Sequence, residues 1–530
     1  MKQNTLPALE QFARPQVERR LVAVIDVGTT AIRMVVAEVC SNGQIRKLDT
    51  AIKAVPLGKD TFLQGRIHKH RIEECVRILL GYREKMLEYG IDSADAVKVY
   101  ATSSVREAEN KIEFLDRIFI GTGLTVHVLD EAEVQRTIFQ SVQPLLQQEP
   151  NFWTHQTIVV EVGGGTTELV VLKGQEVVYS QGYRLGSYRL RETLESYQTS
   201  DTKLRQIMEI EIQRVVERIP SHLDPNLPVK IVALGGDIRL AADELMPEWD
   251  QKNLSRLPLA SLYNLAHKLM DQNVDEIAQD YHLSSPDAES IGPALLAYHH
   301  LGRVLGLKEL YVSKANLRDG LLMEVATGNL WNDALKAQIR KSAIALGRKF
   351  GFDEAYAVQV CETCTSLFAQ LKKYHNLGDH AELMLMVAAL LHEVGMSISV
   401  ASYHKHSMYM IMASDLFGMS KTDLHLVALV ARYHRRSAPK PSHTPFVTLT
   451  RNDRITVIKL AALLRIAIAL NASRQTRKQE FVCKKEKNRM IIRVSDRDDI
   501  SLEQISIRQN GQLFEQVFGL PVTLRVARAE

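Results

Sequence analysis

Five cysteines in 530 residues cannot all pair, and the opening stretch, MKQNTLPALEQFARPQVERR, has no apolar core of the secretory kind. Nothing in that stretch is expected to send the chain to an oxidising compartment, and cytoplasmic residence is the expectation by default. Cys361 and Cys364 form a C-x-x-C within a helical pattern, AVQVCETCTSLFAQL, and no second pair completes a zinc site, so buried thiols are expected. Long apolar runs are missing too. The nearest approach, 458–470, is interrupted by Lys459 and Arg465, so no membrane span and no membrane partner are expected. Neither a GxxxxGK[ST] phosphate loop nor a GxGxxG fingerprint occurs, which sets aside the commonest nucleotide-binding folds.

What is present is the balance of an ordinary soluble chain, 45% hydrophobic and 24% charged, too long for one core and so divided into several domains. Net charge is only +4, but residues 401–480 hold 13 Lys and Arg against four Asp and Glu, a local excess of nine. That field favours an anionic partner, whether polyphosphate, nucleotide or nucleic acid; the alternative is a solvated basic face without a partner.

Residues 158–174, IVVEVGGGTTELVVLKG, read as an apolar strand, a turn of three glycines and a second apolar strand, with Glu161 at the mouth. Residues 21–40, LVAVIDVGTTAIRMVVAEVC, repeat the plan with Asp26, Gly28, Thr29 and Thr30. A strand-loop-strand unit recurring 135 residues on implies two similar α/β lobes facing each other across a cleft. The remaining patterns alternate accordingly: helix 69–89, strand 97–101, helix 104–120, strand 125–129, a helix from Asp130, helices 186–218, strand 229–234 entering Gly235, Gly236 and Asp237, and strand 308–313. Beyond residue 333 the pattern is helical to about 472, and the last 50 residues alternate again, with strands expected at 488–494 and 521–527.

Backbone without Cβ atoms approaches a phosphate closely and turns its N–H groups inward, so Gly28, Gly163, Gly164 and Gly165 are expected to cradle an anion. The hydroxyls of Thr29, Thr30, Thr166 and Thr167 add donors, and Asp26 and Glu161 are candidates to hold a divalent ion that screens the phosphate. Two such loops face to face would grip successive phosphoryl groups.

In order along the chain, IDVGTTAIRMVVAEV (25–39), ATSSVREAEN (101–110), DEAEVQRTIF (130–139), IVVEVGGGTTELVV (158–171), ALGGDIRLAADEL (233–245) and VSKANLRDGLLMEV (312–325) resemble the exopolyphosphatase and guanosine pentaphosphate phosphatase (Ppx/GppA) family. AALLHEVGMSISVASYHKHSMYMI (388–411) and LVARYHRRS (429–437) are similar to the helical HD-like domain of its long members. The resemblance implies an α/β protein with two actin-like (ribonuclease H-like) lobes, 20–140 and 141–325, an all-α HD-like domain, 326–480, and a small α/β C-terminal domain, 481–530. It implies release of terminal orthophosphate from polyphosphate or guanosine pentaphosphate with Mg2+, in a homodimer, with no nucleic-acid partner. Gly235 and Gly236 join the phosphate-binding set, Glu168 matches the family's loop glutamate, and Arg106 matches an arginine that neutralises the transferring phosphoryl group.

The chain departs from the family at three positions. Where a glutamate is taken to activate the attacking water stands Val134, which accepts no proton; Glu133 is adjacent but turned by ~100° on a helix. Glu133 is accordingly either a substitute base or, in the pattern Asp130 to Glu133, a capping residue. Glu161 replaces the usual aspartate, and Asp237 the usual threonine. In the HD-like region the pair is His392-Glu393, and no aspartate appears near Leu470-Asn471, so a catalytic metal is not expected there. His392, His404, His406 and His434 are expected either to bond within the helical core or, with Arg432, Arg435 and Arg436, to line a path for a polyanion. Two function classes follow: a phosphohydrolase in which Glu133 or Glu168 orients the water, and a binding protein that senses polyphosphate or a guanosine alarmone without cleaving it.

Overall fold

Two β-hairpins of matching register organise the molecule, and each starts a sheet. In the computed structural model, which describes residues 19–526 apart from 41–42, 196–200, 220–222, 328–330, 332, 441, 476–479 and 496–498, β1 (Arg19–Val27), β2 (Ala31–Cys40) and β3 (Ile45–Ala54) form an antiparallel meander. β4 (Val97–Ala101) runs parallel to β1, and β5 (Val126–Val128) parallel to β4, giving the order β3-β2-β1-β4-β5. The second sheet repeats this plan with β6 (Gln156–Val162), β7 (Thr167–Lys173), β8 (Glu176–Tyr183) and the parallel β9 (Val229–Leu234). It then adds β10 (Ser255–Pro258) and β11 (Glu309–Val312), in the order β10-β11-β9-β6-β7-β8. The parallel pairs need crossovers, and helices supply them.

Strand alternation sorts the side chains. Val22 and Val24 of β1, Val35 of β2, Val159 of β6 and Val170 of β7 share one apolar cluster with Ile138 and Val142 of the helix Glu131–Gln148. Ile25 and Val27, and likewise Ile158 and Val160, point to the opposite faces into separate clusters. Central strands are thus buried on both sides, which is why they read as unbroken apolar runs. By contrast β3, at the edge, exposes Arg46, Lys47 and Lys53, charges that deter pairing with another chain.

Helices from Asp333–Lys349 to Arg451–Leu470 follow, packed around the apolar Asp379–Leu391. The chain ends in a sheet of β12 (Phe481–Glu486), β13 (Arg489–Val494) and β14 (Val522–Val526). Three expectations change. Helix 104–120 is two helices, Ser103–Arg106 and Lys111–Thr122, because Asn110 leaves the helical path to bond Ile67 N–H and C=O, both at 2.9 Å. Helices 186–218 resolve into Ser187–Glu195 and Asp201–Val216, with 196–200 between them outside the described residues, as is residue 527 of the last expected strand. β12 is an addition, hidden in the sequence because FVCKKE buries only Phe481 and so shows no apolar run, and the helices Ser501–Asn510 and Gln512–Phe518 are additions with it. Among the described residues no helix is long and apolar enough to cross a membrane.

Between the lobes the helices Glu131–Gln148 and Leu317–Thr327 cross so closely that a Cβ on Gly320 would overlap the Thr137 carbonyl oxygen. Beside the crossing lies a buried ion pair, Arg136 Nη2 to Glu324 Oε1 at 3.4 Å. Gly320→Ala is expected to separate the helices and cost about 1–3 kcal/mol, the range for overpacked cores, read as a lowered urea midpoint at unchanged slope.

Candidate active site

The turns at the tips of β1–β2 and β6–β7 are built alike. Val27 pairs with Ile32 and Val162 with Thr167, leaving turns 28–31 and 163–166. Each is closed by the same bond: Gly28 N–H donates to Ala31 O at 3.0 Å and Gly163 N–H to Thr166 O at 2.9 Å. The carbonyls between are drawn outward. Gly58 N–H and Val55 N–H donate to Thr29 O and Thr30 O at 3.0 and 2.9 Å; Ser187 N–H, Arg189 N–H and Arg189 Nε donate to the oxygens of Gly163, Gly164 and Gly165 at 3.0, 2.9 and 2.7 Å. In a trans peptide the N–H opposes the carbonyl, so the N–H groups of Thr30, Gly164, Gly165 and Thr166 turn inward. Among the described residues none of these four donates to a backbone carbonyl. This is an anion nest, made twice.

The nests meet. A Cβ on Gly164 would stand 3.0 Å from Thr29 Cβ, and one on Gly165 would overlap Ser103 Oγ, which itself lies 3.4 Å from Thr29 Oγ1. A third loop closes the floor, where Gly235, at φ 120° in a region that only glycine enters freely, leads into the helix Gly236–Leu245. Together they enclose a cavity of about 320 Å³ whose wall includes Asp26, Gly28, Thr29, Thr30, Arg106, Glu161, Gly163, Gly164, Gly165, Thr166, Glu168, Gly235 and Gly236.

Several residues expected at the site stand elsewhere, and these are corrections. Thr167 faces the other side of β7, its hydroxyl donating to the Leu185 carbonyl, because alternation opposes it to Glu168. Glu133 is not on the cavity wall: Oε2 accepts from Asp130 N–H at 2.9 Å, completing a capping box, and Oε1 pairs with His127 Nε2 at 3.0 Å. Of the residues expected either in the helical core or on a path for a polyanion, His434 takes the first alternative, while His406, Arg432, Arg435 and Arg436 keep some exposure. His434 is buried, bonded to the Ala431 carbonyl and to Tyr403 Oη at 3.2 Å, so no polyanion reaches it. Arg432 and Arg435 lie over the Tyr433 and Tyr403 rings, and the buried Arg465 donates to the carbonyls of Tyr433, Arg436 and Ser437. Part of the positive excess of 401–480 is thus committed within the helical region; Arg477 and Lys478 lie outside the described residues. Glu393 is taken by Arg474 at 2.7 Å.

The cavity wall also carries Arg33, Arg239, Arg318 and Asp287, which sequence reasoning missed. Arg33 was findable by register, since it stands across β2 from Asp26 as Glu168 stands across β7 from Glu161. Arg318 Nη1 pairs with Asp26 Oδ2 at 3.3 Å, and Thr30 Oγ1 donates to Asp287 Oδ1 at 2.9 Å. Three buried polar atoms on this wall have no partner: Asp26 Oδ1, Glu168 Oε1 and Arg239 Nη1. An unpaired guanidinium nitrogen calls for an anion, and an unpaired carboxylate oxygen for a cation or a proton donor. Burial pushes Glu168 up to about 7, opposed by the Gln135 hydrogen bond and by Arg106. Burial and the neighbouring Asp287 push Asp237 up to about 7, so near neutrality it adds less negative charge than its carboxylate implies. Glu161 is raised by burial against the pull of Arg239. Among the described residues no group of three or more His, Cys, Asp or Glu is arranged for a metal ion. Asp26 Oδ1 with Glu161 beside it fits the one- or two-carboxylate attachment of a hard ion that keeps its waters and shares the substrate's phosphates.

With this geometry in hand, comparison with known proteins gives consistent matches. The model of the Ppx/GppA phosphatase family matches residues 35–328, and that of Ppx/GppA phosphatase domain III matches residues 339–511. A guanosine-5'-triphosphate,3'-diphosphate pyrophosphatase of Pseudoalteromonas translucida is 24% identical over 481 residues, covering 86% of this chain and 88% of that one. Its namesake from Aeromonas hydrophila is 22% identical over 461 residues, covering 85% and 87%. The crystal structure of an exopolyphosphatase from Cytophaga hutchinsonii aligns with a TM-score of 0.51 at 22% identity, covering 58% of this chain and 98% of that one, a likeness of the two-lobed actin-like fold.

Two outcomes follow from the geometry. Glu133→Ala is expected to lower stability by about 0.5–1.5 kcal/mol through the lost hydrogen bond from Asp130 N–H while leaving the turnover number unchanged, measured by melting and steady-state rates. Burial, with Arg432, Arg435, Arg436 and Lys405 around it, holds the His404 imidazole down at about 4, and burial lowers His392 and His434 too. Unfolding frees these groups to take protons at the ordinary value near 6.5. Stability is then full above that value and lost as pH falls from there toward 4. The melting temperature should drop across that window, and His404→Gln should flatten the drop.

Proposed function

The chain belongs to the Ppx/GppA phosphatase family, and from that premise we propose that it hydrolyses the terminal phosphoanhydride bond of guanosine pentaphosphate or inorganic polyphosphate. The observation that carries this reading is the pairing of two facing amide nests with a buried carboxylate, Glu168, that has one free oxygen and a proton affinity near neutrality. The N–H groups of Gly164, Gly165, Thr166 and Thr30 hold oxygens of adjacent phosphoryl groups, and Arg239, with its unpaired nitrogen, and Arg106 offset their charge. Water attacks the terminal phosphorus in line, Glu168 accepts its proton, and the shortened phosphate leaves with the bonding electrons. A divalent ion, Mg2+ in this reading, would be held by Asp26 and Glu161 and supplies charge neutralisation when bound.

A second reading rests on Val134, which lines the cavity where the family resemblance implies a proton-accepting glutamate. On that ground the chain binds polyphosphate or a guanosine alarmone as a sensor. Orthophosphate release from guanosine pentaphosphate and from long-chain polyphosphate, with and without Mg2+, separates the two. Hydrolysis is expected, and Glu168→Gln should lower the turnover number by about 10²–10⁴-fold, the range for a lost general base, with calorimetric affinity for the substrate retained. Tight binding by the wild type with no orthophosphate released would establish the sensor instead.

A further inference from the structure

Residues three apart on a helix share a face, so Val134 is succeeded not by Glu133 but by Glu131, one turn earlier. Val134 lines the main cavity, while Glu131 lines a neighbouring one of about 260 Å³ with Arg106, Gln135, Gln181, Asp415 and Lys421. Arg106 belongs to both walls and so stands between the two cavities. Glu168 stands at the partition, taking a hydrogen bond from Gln135 Nε2 at 3.1 Å.

Strand β8 leaves a gap at that partition. Gly182 is the register partner of Glu168, and a Cβ there would stand 2.9 Å from Glu168 Oε2 and 3.2 Å from Glu131 Oε2. The two carboxylates therefore approach one point from the two cavities, and only a residue without a side chain leaves that point open. Glu131 is exposed, so its carboxyl exchanges protons with solvent, whereas Glu168 is 4% exposed.

We propose that Glu131 supplies the carboxylate that the helix lacks at Val134: facing Glu168 across Gly182, it receives the proton that Glu168 takes from the attacking water and passes it out through the second cavity. This rests on the phosphohydrolase reading. One water O–H bond breaks as the oxygen bonds to the terminal phosphorus, and the P–O bond to the leaving phosphate breaks with its electron pair going to that oxygen. The proton passes to the carboxylate pair and from Glu131 to solvent, so the pair ends the cycle as it began. Arg106 faces the pair from the adjoining helix, Gln135 donates a hydrogen bond to Glu168 and Thr166 lies beside it, and Asp415 across the second cavity is paired with Lys421 at 2.5 Å.

The test is orthophosphate release from guanosine pentaphosphate by the full chain. Glu131→Gln is expected to lower the turnover number by about 10²-fold at a KM within twofold and an unchanged melting temperature, with Glu131→Asp recovering part of the rate. Gly182→Ala, whose methyl wedges between the carboxylates, should lower the rate similarly while calorimetric substrate affinity persists. Wild-type turnover in Glu131→Gln would overturn the role of Glu131 alone. A wild type that binds substrate and releases nothing overturns the phosphohydrolase reading, and Glu131's role with it.

Discussion

A trans peptide cannot turn its carbonyl one way without turning the following N–H the other, and the cleft is built on that constraint. The anion-facing amides are set by what grips the carbonyls behind them: Val55 and Gly58 for the first turn, Ser187 and Arg189 for the second. Arg189 is in turn held by Glu107 at 2.5 Å, and Glu107 comes from the first lobe while Arg189 comes from the second. The nest of one lobe is thereby braced by the other. Glycine at 164 and 165 follows from the same contact, because the opposing Thr29 and Ser103 leave no room for a Cβ.

Charge in the cleft is balanced rather than one-sided. Asp26, Glu161, Glu168, Asp237 and Asp287 face Arg33, Arg106, Arg239 and Arg318. Burial raises Glu161 and pushes Glu168 and Asp237 up to about 7, so near neutral pH the last two carry less negative charge than a formal count allows. A phosphate entering such a site meets amide donors and guanidinium groups in a low-dielectric space, where each is worth more than in water. The carboxylates supply what a purely basic pocket lacks, a proton acceptor and an attachment point for a counter-ion. This contrasts with the basic stretch 401–480, where Arg432, Arg435, Arg465, Lys421 and Arg474 are engaged by tyrosine rings, carbonyls and acids within the helical region.

What was legible in the sequence was whatever depends on local pattern. The duplicated hairpin, the alternation of strands and helices and the glycine turns follow from periodicity and backbone chemistry, and the structure has them. Parity along a strand was legible too: Thr167 neighbours Glu168 and so points away from it. The capping pattern from Asp130 to Glu133 was readable as either role, and only the three-dimensional partners, Asp130 N–H and His127, decide it. Arg239, Arg318 and Asp287 were not legible, because they reach the cleft from elements far apart in the chain. The fate of the basic excess was hidden for a similar reason, since charge counts carry no information on which guanidinium groups stack on rings or enter the core.

The duplication itself explains how a symmetric scaffold yields an asymmetric site. Asp26 and Glu161 occupy equivalent positions, one residue before the last of β1 and of β6. Their cross-strand partners are equivalent as well, yet one is Arg33 and the other Glu168. Arg33 donates to Thr30 and pairs with Asp287 at 3.5 Å, so the residue across from Asp26 is itself held by partners. Glu168 has no cation that close; it accepts from a neutral amide, keeps one oxygen unpartnered and is raised by burial. A single change of charge at matched register positions thus assigns anchoring to one turn and proton chemistry to the other. Gly182 completes the distinction, because the strand flanking Glu168 is bare of a side chain where the strand flanking Arg33 carries Ile52.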